Sequence, residues 1–297
     1  MSDFLQVTVQ GIAFGSKYAL VALGFVIIFK ATGVINFAQG GFVLFGAYLA
    51  YNAGTTWGLP FVVAVVLAMV GGAVIGAVVE RVALRPLIGQ PPFTAIMITI
   101  GVLFVLEQIV TSIWGFDTRN LGDPWGSDTV HLGDISIAVR DLWTVGLAAA
   151  ALLAFFLFFR YSSTGVAMRA TALDPEAALA QGISPGRVYT LAWAVSGAVA
   201  ALAGVTLASG TAGLQPGVGF VALAAFPAII LGGLDSPAGA VLGGLIIGVS
   251  QQLTARYLAD WSWLGTNFHT AMPYVLMVVI LLVRPYGLFG TREVQRV

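Results

Sequence analysis

The chain has 297 residues, of which 59% are hydrophobic and only 9% are charged, and its mean hydropathy is +0.95. Soluble domains carry about a quarter charged residues, so lipid is the expected solvent for most of this chain. The formal net charge of zero argues against nucleic acid as a partner, and the lack of cysteine excludes disulfides, thiolate metal sites and cysteine nucleophiles. The two histidines, His131 and His269, are isolated, so no metal site is predicted.

Apolar stretches of about 20 residues predict membrane-spanning helices. The first stretch lacks a basic segment before it and is too long for a signal peptide, so we interpret it as the first helix of the mature protein. The second stretch is short and follows a polar pair, which indicates a tilted helix or one with a broken start. In chain order the predicted segments are 7–29, 37–51, 59–79, 93–114, 142–159, 188–208, 220–231, 238–253 and 272–283.

Two polar or glycine-rich segments interrupt this series. Segment 115–141 holds five aspartates, turn signals at Asp123-Pro124 and Asp134, and an alternating Ile-Ser-Ile run, which together predict a small hairpin outside the membrane. Segment 232–238 is a glycine-rich helix break inside an apolar tract. Non-helical backbone at membrane depth is tolerated only where protein or a wet cavity surrounds it.

The polar segment 170–187 lies between two long apolar stretches and predicts a short helix. Asp174 occupies the capping position, Pro175 the first helical position and Glu176 the first turn, and Gly182 ends the helix. Such a helix at the cytoplasmic face would dock another protein, although an ordinary amphipathic connector remains an alternative. The candidate coupling residues are Asp174, Pro175, Glu176, Ala177, Ala178, Gly182 and Ser184.

Three motifs carry a family resemblance. Glu176-Ala177-Ala178 followed by Gly182 resembles the EAA pattern with a spaced glycine in the cytoplasmic loop of ABC importer permeases. Residues 33–40, GVINFAQG, resemble an INFAHG signature, with Gln39 where histidine is usual. Residues 231–248, LGGLDSPAGAVLGGLIIG, resemble a GGLGS.PGA..GG signature. As a set, these stretches resemble the permease family for branched-chain amino acids.

The resemblance implies an all-α, polytopic integral membrane protein: one permease domain, 1–297, with about eight to ten helices, some of them broken. It implies a second homologous permease, two cytoplasmic ABC ATPase subunits that bind ATP and magnesium, and an extracytoplasmic substrate-binding protein. The chain itself is predicted to be no enzyme and to hold no cofactor, because its Gly11–Lys17 run has the wrong spacing for a phosphate-binding loop.

Three alternatives stay open. Gln39 leaves room for a permease of urea or short-chain amides, which shares these motifs. An ion-coupled secondary transporter would use intramembrane charges and work without partners. An intramembrane enzyme would need a catalytic constellation, and the sequence shows none.

The distribution of basic residues predicts the orientation. One side of the predicted bundle receives Arg119, Arg140 and Arg256. The other side receives Lys30, Arg81, Arg85, Arg160, Arg169, Arg187, Arg284, Arg292 and Arg296. The richer side is expected to be the cytoplasm of a bacterium, whose plasma (inner) membrane the chain would cross about nine times, with the N-terminus outside and the C-terminus inside.

Polar groups in the apolar segments are candidates for function. Lys17 and Glu107 have similar depth and opposite charge, so we predict an ion pair across the bundle or a subunit interface, although either group could also snorkel or titrate alone. Amides and free backbone donors at a broken helix suit the carboxylate of a zwitterion. The substrate-path candidates are therefore Asn36, Gln39, Gly40, Gly41, Gly232 and Gly233, the alternative being that the amides cap their own helix.

Two further predictions concern packing. Glycines four residues apart on apolar helices allow backbones to approach closely. Such pairs occur at Gly11 and Gly15, Gly72 and Gly76, Gly239 and Gly243, and Gly244 and Gly248. In the glycine-rich break, Asp235 is expected to cap the helix that begins near residue 238.

Overall fold

The computed structural model describes residues 2–122, 124–126, 128–133, 135–209, 213–259, 261 and 267–290. The predicted turn residues Asp123 and Asp134 and the basic residues Arg292 and Arg296 lie outside these ranges. The predicted all-α, polytopic class is confirmed. The helices are α1 Ser2–Thr32, α2 Gln39–Tyr51, α3 Phe61–Val79, α4 Pro92–Trp114, α5 Val139–Tyr161, α6 Ser163–Leu173, α7 Pro175–Ala180, α8 Pro185–Ala208, α9 Val218–Ala224, α10 Phe226–Gly232, α11 Pro237–Tyr257 and α12 Phe268–Val283.

Within the described residues, six helices are long and apolar enough to cross a membrane: α1, α3, α4, α5, α8 and α11. Two shorter apolar stretches, Val218–Gly232 and Phe268–Val283, and the 13-residue α2 lie among them. The predicted total of about nine crossings therefore depends on how these short helices are counted.

Helix α1 is the central element of the bundle, and it packs most extensively against α11 and also against α8 and α5. The predicted close helix approach is confirmed here. A side chain on Gly248 would overlap the backbone of Gly15, and one on Gly11 would lie 2.6 Å from the Cα atom of Val249. Dispersion between closely packed backbones replaces the hydrophobic effect as the source of helix association in lipid.

The interruptions of the helices follow proline and glycine. Pro227 lies in the first turn of α10, just after the break from α9, and Gly233, whose φ of 105° favours glycine, caps the end of α10. The expected cap at Asp235 is wrong, because the Ser236 hydroxyl accepts the hydrogen bond from the backbone N–H of Gly239 at 3.0 Å. The backbone oxygen of Asp235 instead accepts a hydrogen bond from the Lys30 ammonium group at 3.0 Å.

The segment predicted as a hairpin contains strands β1 Thr129–Leu132 and β2 Ile135–Ala138, which pair antiparallel. The side chain of Gln6 ties this hairpin to α1, because its amide donates to the Ser136 carbonyl at 2.5 Å and accepts from the Ser136 N–H at 2.8 Å. We call this side of the bundle the hairpin end. The opposite side, which carries α6 and α7, is called the coupling end.

Arg119 fastens the chain between α4 and the hairpin. Its guanidinium group donates to the Tyr51 hydroxyl at 3.1 Å, and its backbone exchanges two hydrogen bonds with Leu214. The hydrogen bond with Tyr51 raises the pKa of Arg119 above its ordinary value.

Candidate functional site

The short helix α7 is held at the coupling end by its own cap. The Asp174 carboxylate accepts hydrogen bonds from the backbone N–H groups of Glu176 and Ala177, both at 2.9 Å. Pro175 has no backbone N–H, so it leaves no donor unpaired at the first helical position, and its fixed φ suits a first helical turn. Gly182, with φ of 81°, ends the segment and turns the chain toward α8.

Three side chains on α6 and α7 form an exposed patch, which we call the coupling surface: Leu173, Glu176 and Leu179. Leu173 is 88% exposed and Leu179 is 62% exposed, while Ala178 faces inward and is buried. Large apolar side chains that are exposed in a segment outside the predicted membrane spans indicate a surface that another protein covers. Glu176 was predicted from the sequence and the two leucines were not, although large apolar residues in a polar segment are a signal that could have indicated them.

An ion pair with a buried carboxylate lines the same cavity as Pro175 of α7. Glu80, at 2% side-chain exposure, sits in the π-helical turn Glu80–Leu84 that continues α3. Arg85 donates to both carboxylate oxygens of Glu80, at 3.2 and 3.1 Å. Arg85 also donates to the Gly186 carbonyl at 2.8 Å and to the Thr190 hydroxyl at 2.6 Å, both near the start of α8. Thr190 in turn donates to Glu80 at 2.6 Å.

This arrangement, which we call the Glu80–Arg85–Thr190 clamp, connects the end of α3 to the start of α8. Pro175 of α7 and Glu80 line the same cavity of about 480 Å³, which also reaches Gly33 after α1. A partner that displaces α7 would therefore act on α8 through four residues of chain and on α3 through the clamp. The clamp was not predicted from the sequence, because Glu80 and Thr190 are 110 positions apart.

The cap of α7 gives a local test of this geometry. Asp174→Ala removes both capping hydrogen bonds and is expected to destabilise α7, relative to its unfolded form, by about 1 kcal/mol. Hydrogen exchange of the amides of residues 176–180 should then be about fivefold faster at 25 °C, since 1.4 kcal/mol corresponds to a factor of ten. Asp174→Asn keeps an acceptor at the same position and should leave the exchange close to that of the unaltered chain. Equal exchange in both variants would contradict the role assigned to the cap.

The polar pair at the start of α2 is buried inside the bundle. Asn36 and Gln39 are both 0% exposed. The Asn36 side chain accepts a hydrogen bond from the Ala38 N–H at 3.0 Å and donates to the side-chain oxygen of Gln39 at 3.2 Å. Asn36 therefore orders the turn before α2, and in the described part of the chain no side chain caps the helix itself. Ser196 of α8 donates to the Gly24 carbonyl at 2.7 Å and lies 3.1 Å from the same Gln39 oxygen. Within the described residues, Gln39 Nε2 has no hydrogen-bond partner.

The four glycine candidates for the substrate path lie at helix contacts in this conformation. A side chain on Gly40 would lie 2.5 Å from the Gly219 carbonyl, and one on Gly41 would lie 2.8 Å from Leu106. A side chain on Gly232 would overlap the backbone of α11 at Gly239, and one on Gly233 would lie 2.5 Å from the backbone nitrogen of Gly290. Close packing thus accounts for these glycines, and their place in a substrate path stays a prediction.

The predicted Lys17–Glu107 pair does not form within the chain, so that part of the prediction is wrong. Among the described residues no ion pair joins the two side chains. Lys17 lines a cavity with Arg140 and Asp141 of α5, whereas Glu107 belongs to α4, which packs against α2. Two residues at similar depth in the membrane contact each other only if their helices are neighbours and both side chains point into the shared contact. A contact of Glu107 across a subunit interface stays a prediction.

Comparison with known proteins decides the family. The sequence pattern of the family described as "Branched-chain amino acid transport system / permease component" matches residues 7–282. The chain belongs to this permease family. It is 33% identical to the high-affinity branched-chain amino acid transport system permease protein LivH of Escherichia coli K12, covering 99% of this chain and 98% of that protein.

Further relatives of this permease agree. BraD of Pseudomonas aeruginosa, named as a high-affinity branched-chain amino acid transport system permease protein, is 32% identical over 99% of this chain and 98% of its own length. A protein of Methanocaldococcus jannaschii named as a probable branched-chain amino acid transport permease is 30% identical over 94% and 90%. Among solved structures, PsaBC from Streptococcus pneumoniae in complex with Fab shares the fold at TM-score 0.50 and 16% identity, covering 95% of this permease and 92% of that chain.

Proposed function

We propose that the chain is the membrane-spanning subunit of an ATP-driven importer for branched-chain amino acids. The observation that carries the coupling role is the exposed, capped α7 with its coupling surface, backed by the Glu80–Arg85–Thr190 clamp. The names of the full-length relatives support the substrate class and favour it over urea or short-chain amides.

In this proposal the chain contributes no ATPase site of its own. Two cytoplasmic ABC ATPase subunits bind ATP and magnesium and contact α7, a second homologous permease completes the path, and an extracytoplasmic protein delivers the substrate. The coupling end faces the cytoplasm of a bacterial plasma membrane, and the N-terminus and the hairpin end lie outside. The excess of Lys and Arg assigned to the coupling end supports this orientation.

The chain's own residues suggest how motion is transmitted. Closure of the ATPases would push on Leu173, Glu176 and Leu179, and the start of α8 would move with α7. Because Arg85 holds both Gly186 of α8 and Glu80 after α3, the two helices would move together. Alternating access then follows from two arrangements of a packed bundle, each stabilised by a different state of the motor subunits.

Uptake by proteoliposomes that contain the whole assembly tests the proposal. Leucine should accumulate when ATP and the ATPase subunits are inside, and excess isoleucine or valine should compete while urea and acetamide do not. Uptake driven by a membrane potential without ATP would instead indicate an ion-coupled transporter. Competition by urea or acetamide would instead indicate a permease for urea or short-chain amides.

A further inference from the structure

A small cavity at the hairpin end carries charges of both signs. Its volume is about 280 Å³, and it lies between α1, the start of α5, the end of α8 and the loop before α9. Lys17, Arg140 and Asp141 are the charged residues that line it. This volume lies just below the range of about 300–1,000 Å³ for small-ligand pockets, so the cavity could hold one small molecule at most and not a peptide.

The three charges converge from two helices. Arg140 and Asp141 are in the first turn of α5, directly after β2. Lys17 lies at the middle of α1, and a long cationic side chain on a helix leans toward the helix N-terminus, which here is the hairpin end. Among the described residues none of the three forms an ion pair, although all three line one cavity. All three residues are half-buried rather than buried, and the opposite charges offset one another in part, which leaves two cations against one carboxylate in the cavity.

The rest of the lining combines four apolar side chains with two glycines and the polar residues Ser209 and Gln215. Phe14 of α1, Leu207 of α8 and Val218 and Val221 of α9 form the apolar walls. A ligand that is complementary to this cavity has an anionic group to bind Lys17 and Arg140, a cationic group to bind Asp141, and a branched or aromatic apolar side chain. A free α-amino acid with an apolar side chain has all three.

We propose that this cavity is a binding site for the zwitterion of an apolar amino acid, at the mouth of the path on the hairpin end. The Lys17 ammonium and the Arg140 guanidinium donate hydrogen bonds to the substrate carboxylate. The Asp141 carboxylate accepts hydrogen bonds from the substrate ammonium, and the apolar walls receive the side chain. This inference rests on the proposed function, and it assigns the substrate contacts to residues that differ from Asn36 and Gln39.

The test separates ligand binding from transport. Saturation-transfer NMR on the solubilised assembly, without the substrate-binding protein, detects weak binding of L-leucine directly. Two analogues serve as further probes: leucinamide lacks the carboxylate, and 4-methylpentanoate lacks the ammonium group. We expect binding of L-leucine, and we expect Asp141→Asn to weaken it about tenfold, as the loss of a charge-assisted hydrogen bond predicts.

The analogues show that a variant is still folded. Asp141→Asn should weaken the binding of leucinamide but leave the binding of 4-methylpentanoate unchanged. Lys17→Met combined with Arg140→Gln should weaken the binding of 4-methylpentanoate and leave that of leucinamide unchanged. Asp117→Asn, an exposed acid outside the cavity, should alter none of the three probes. An equal loss for all probes would show a structural effect and overturn the site.

The two proposals fail in different ways. If the assembly takes up leucine but gives no saturation transfer from it, or if the variants bind as the unaltered assembly does, the cavity is not the site and the proposed function stands. If the unaltered assembly takes up no branched-chain amino acid, the proposed function falls and this inference falls with it.

Discussion

Replacing Arg85 with methionine is expected to destabilise the folded chain by about 3 kcal/mol. The substitution leaves the Glu80 carboxylate buried, at 2% exposure, without its two charge-assisted hydrogen bonds. Among the residues that the structure describes, the Thr190 hydroxyl alone would remain to donate to it. Arg85 is itself 33% exposed, so the expected loss lies at the lower end of the range for a broken buried pair. Unfolding by SDS titration in mixed micelles measures the difference.

A second substitution checks the cause. Glu80→Gln in the Arg85→Met background removes the buried charge and should recover much of the lost stability, because an amide is far less costly to bury than a carboxylate. The matched control is Arg256→Met, which breaks an ion pair to Asp3 whose side chains are 59% and 52% exposed. That variant should change stability by less than about 1 kcal/mol. Equal losses from Arg85→Met and Arg256→Met would show that the clamp does not hold α3 to α8.

Gly248→Ala is expected to destabilise the chain by about 2 kcal/mol through overpacking. A Cβ atom at this position would overlap the backbone of Gly15, so α1 and α11 would have to move apart along their whole contact. Gly101→Ala, on α4, is the matched control, because a Cβ atom there meets no atom within 4 Å.

The control should be neutral or slightly stabilising, since alanine exceeds glycine in helix propensity by up to about 1 kcal/mol. Both variants can be compared in the same SDS titration, together with thermal inactivation of the assembly. If Gly248→Ala proves as stable as Gly101→Ala, the central crossing of α1 and α11 is looser than the structure describes.

Local signals in the sequence were enough for much of the fold. Asp174, Pro175 and Gly182 mark the start and end of α7 through backbone chemistry that involves only neighbouring residues. The glycine spacing on α1 and α11 indicated close helix contacts, because a small residue has little other use on an apolar helix in lipid. The broken start of α2 followed from the polar residues that precede it.

Contacts between distant segments could not be predicted in the same way. The expected partner of Lys17 was chosen by membrane depth and charge sign, yet the charged residues that share its cavity are on α5. Depth does not predict toward which neighbouring helix a side chain points. Likewise, Ser236 rather than Asp235 caps α11, because the choice between adjacent capping residues depends on how the preceding loop enters the helix. The Glu80–Arg85–Thr190 clamp depends on the packing of α3 against α8, which no local pattern shows.

Uptake of leucine by proteoliposomes loaded with ATP, with Leu173→Asp and Leu179→Asp combined in this chain, tests the central claim most directly. The coupling surface would then carry charge where the ATPase subunits are proposed to press. We expect the assembly to lose at least about nine-tenths of its uptake, as a loss of 1.4 kcal/mol in coupling would give. Phe116→Asp, a change at an exposed residue of the hairpin end, should retain uptake. Normal uptake by the double variant would contradict the account, because transport would then not require the coupling surface.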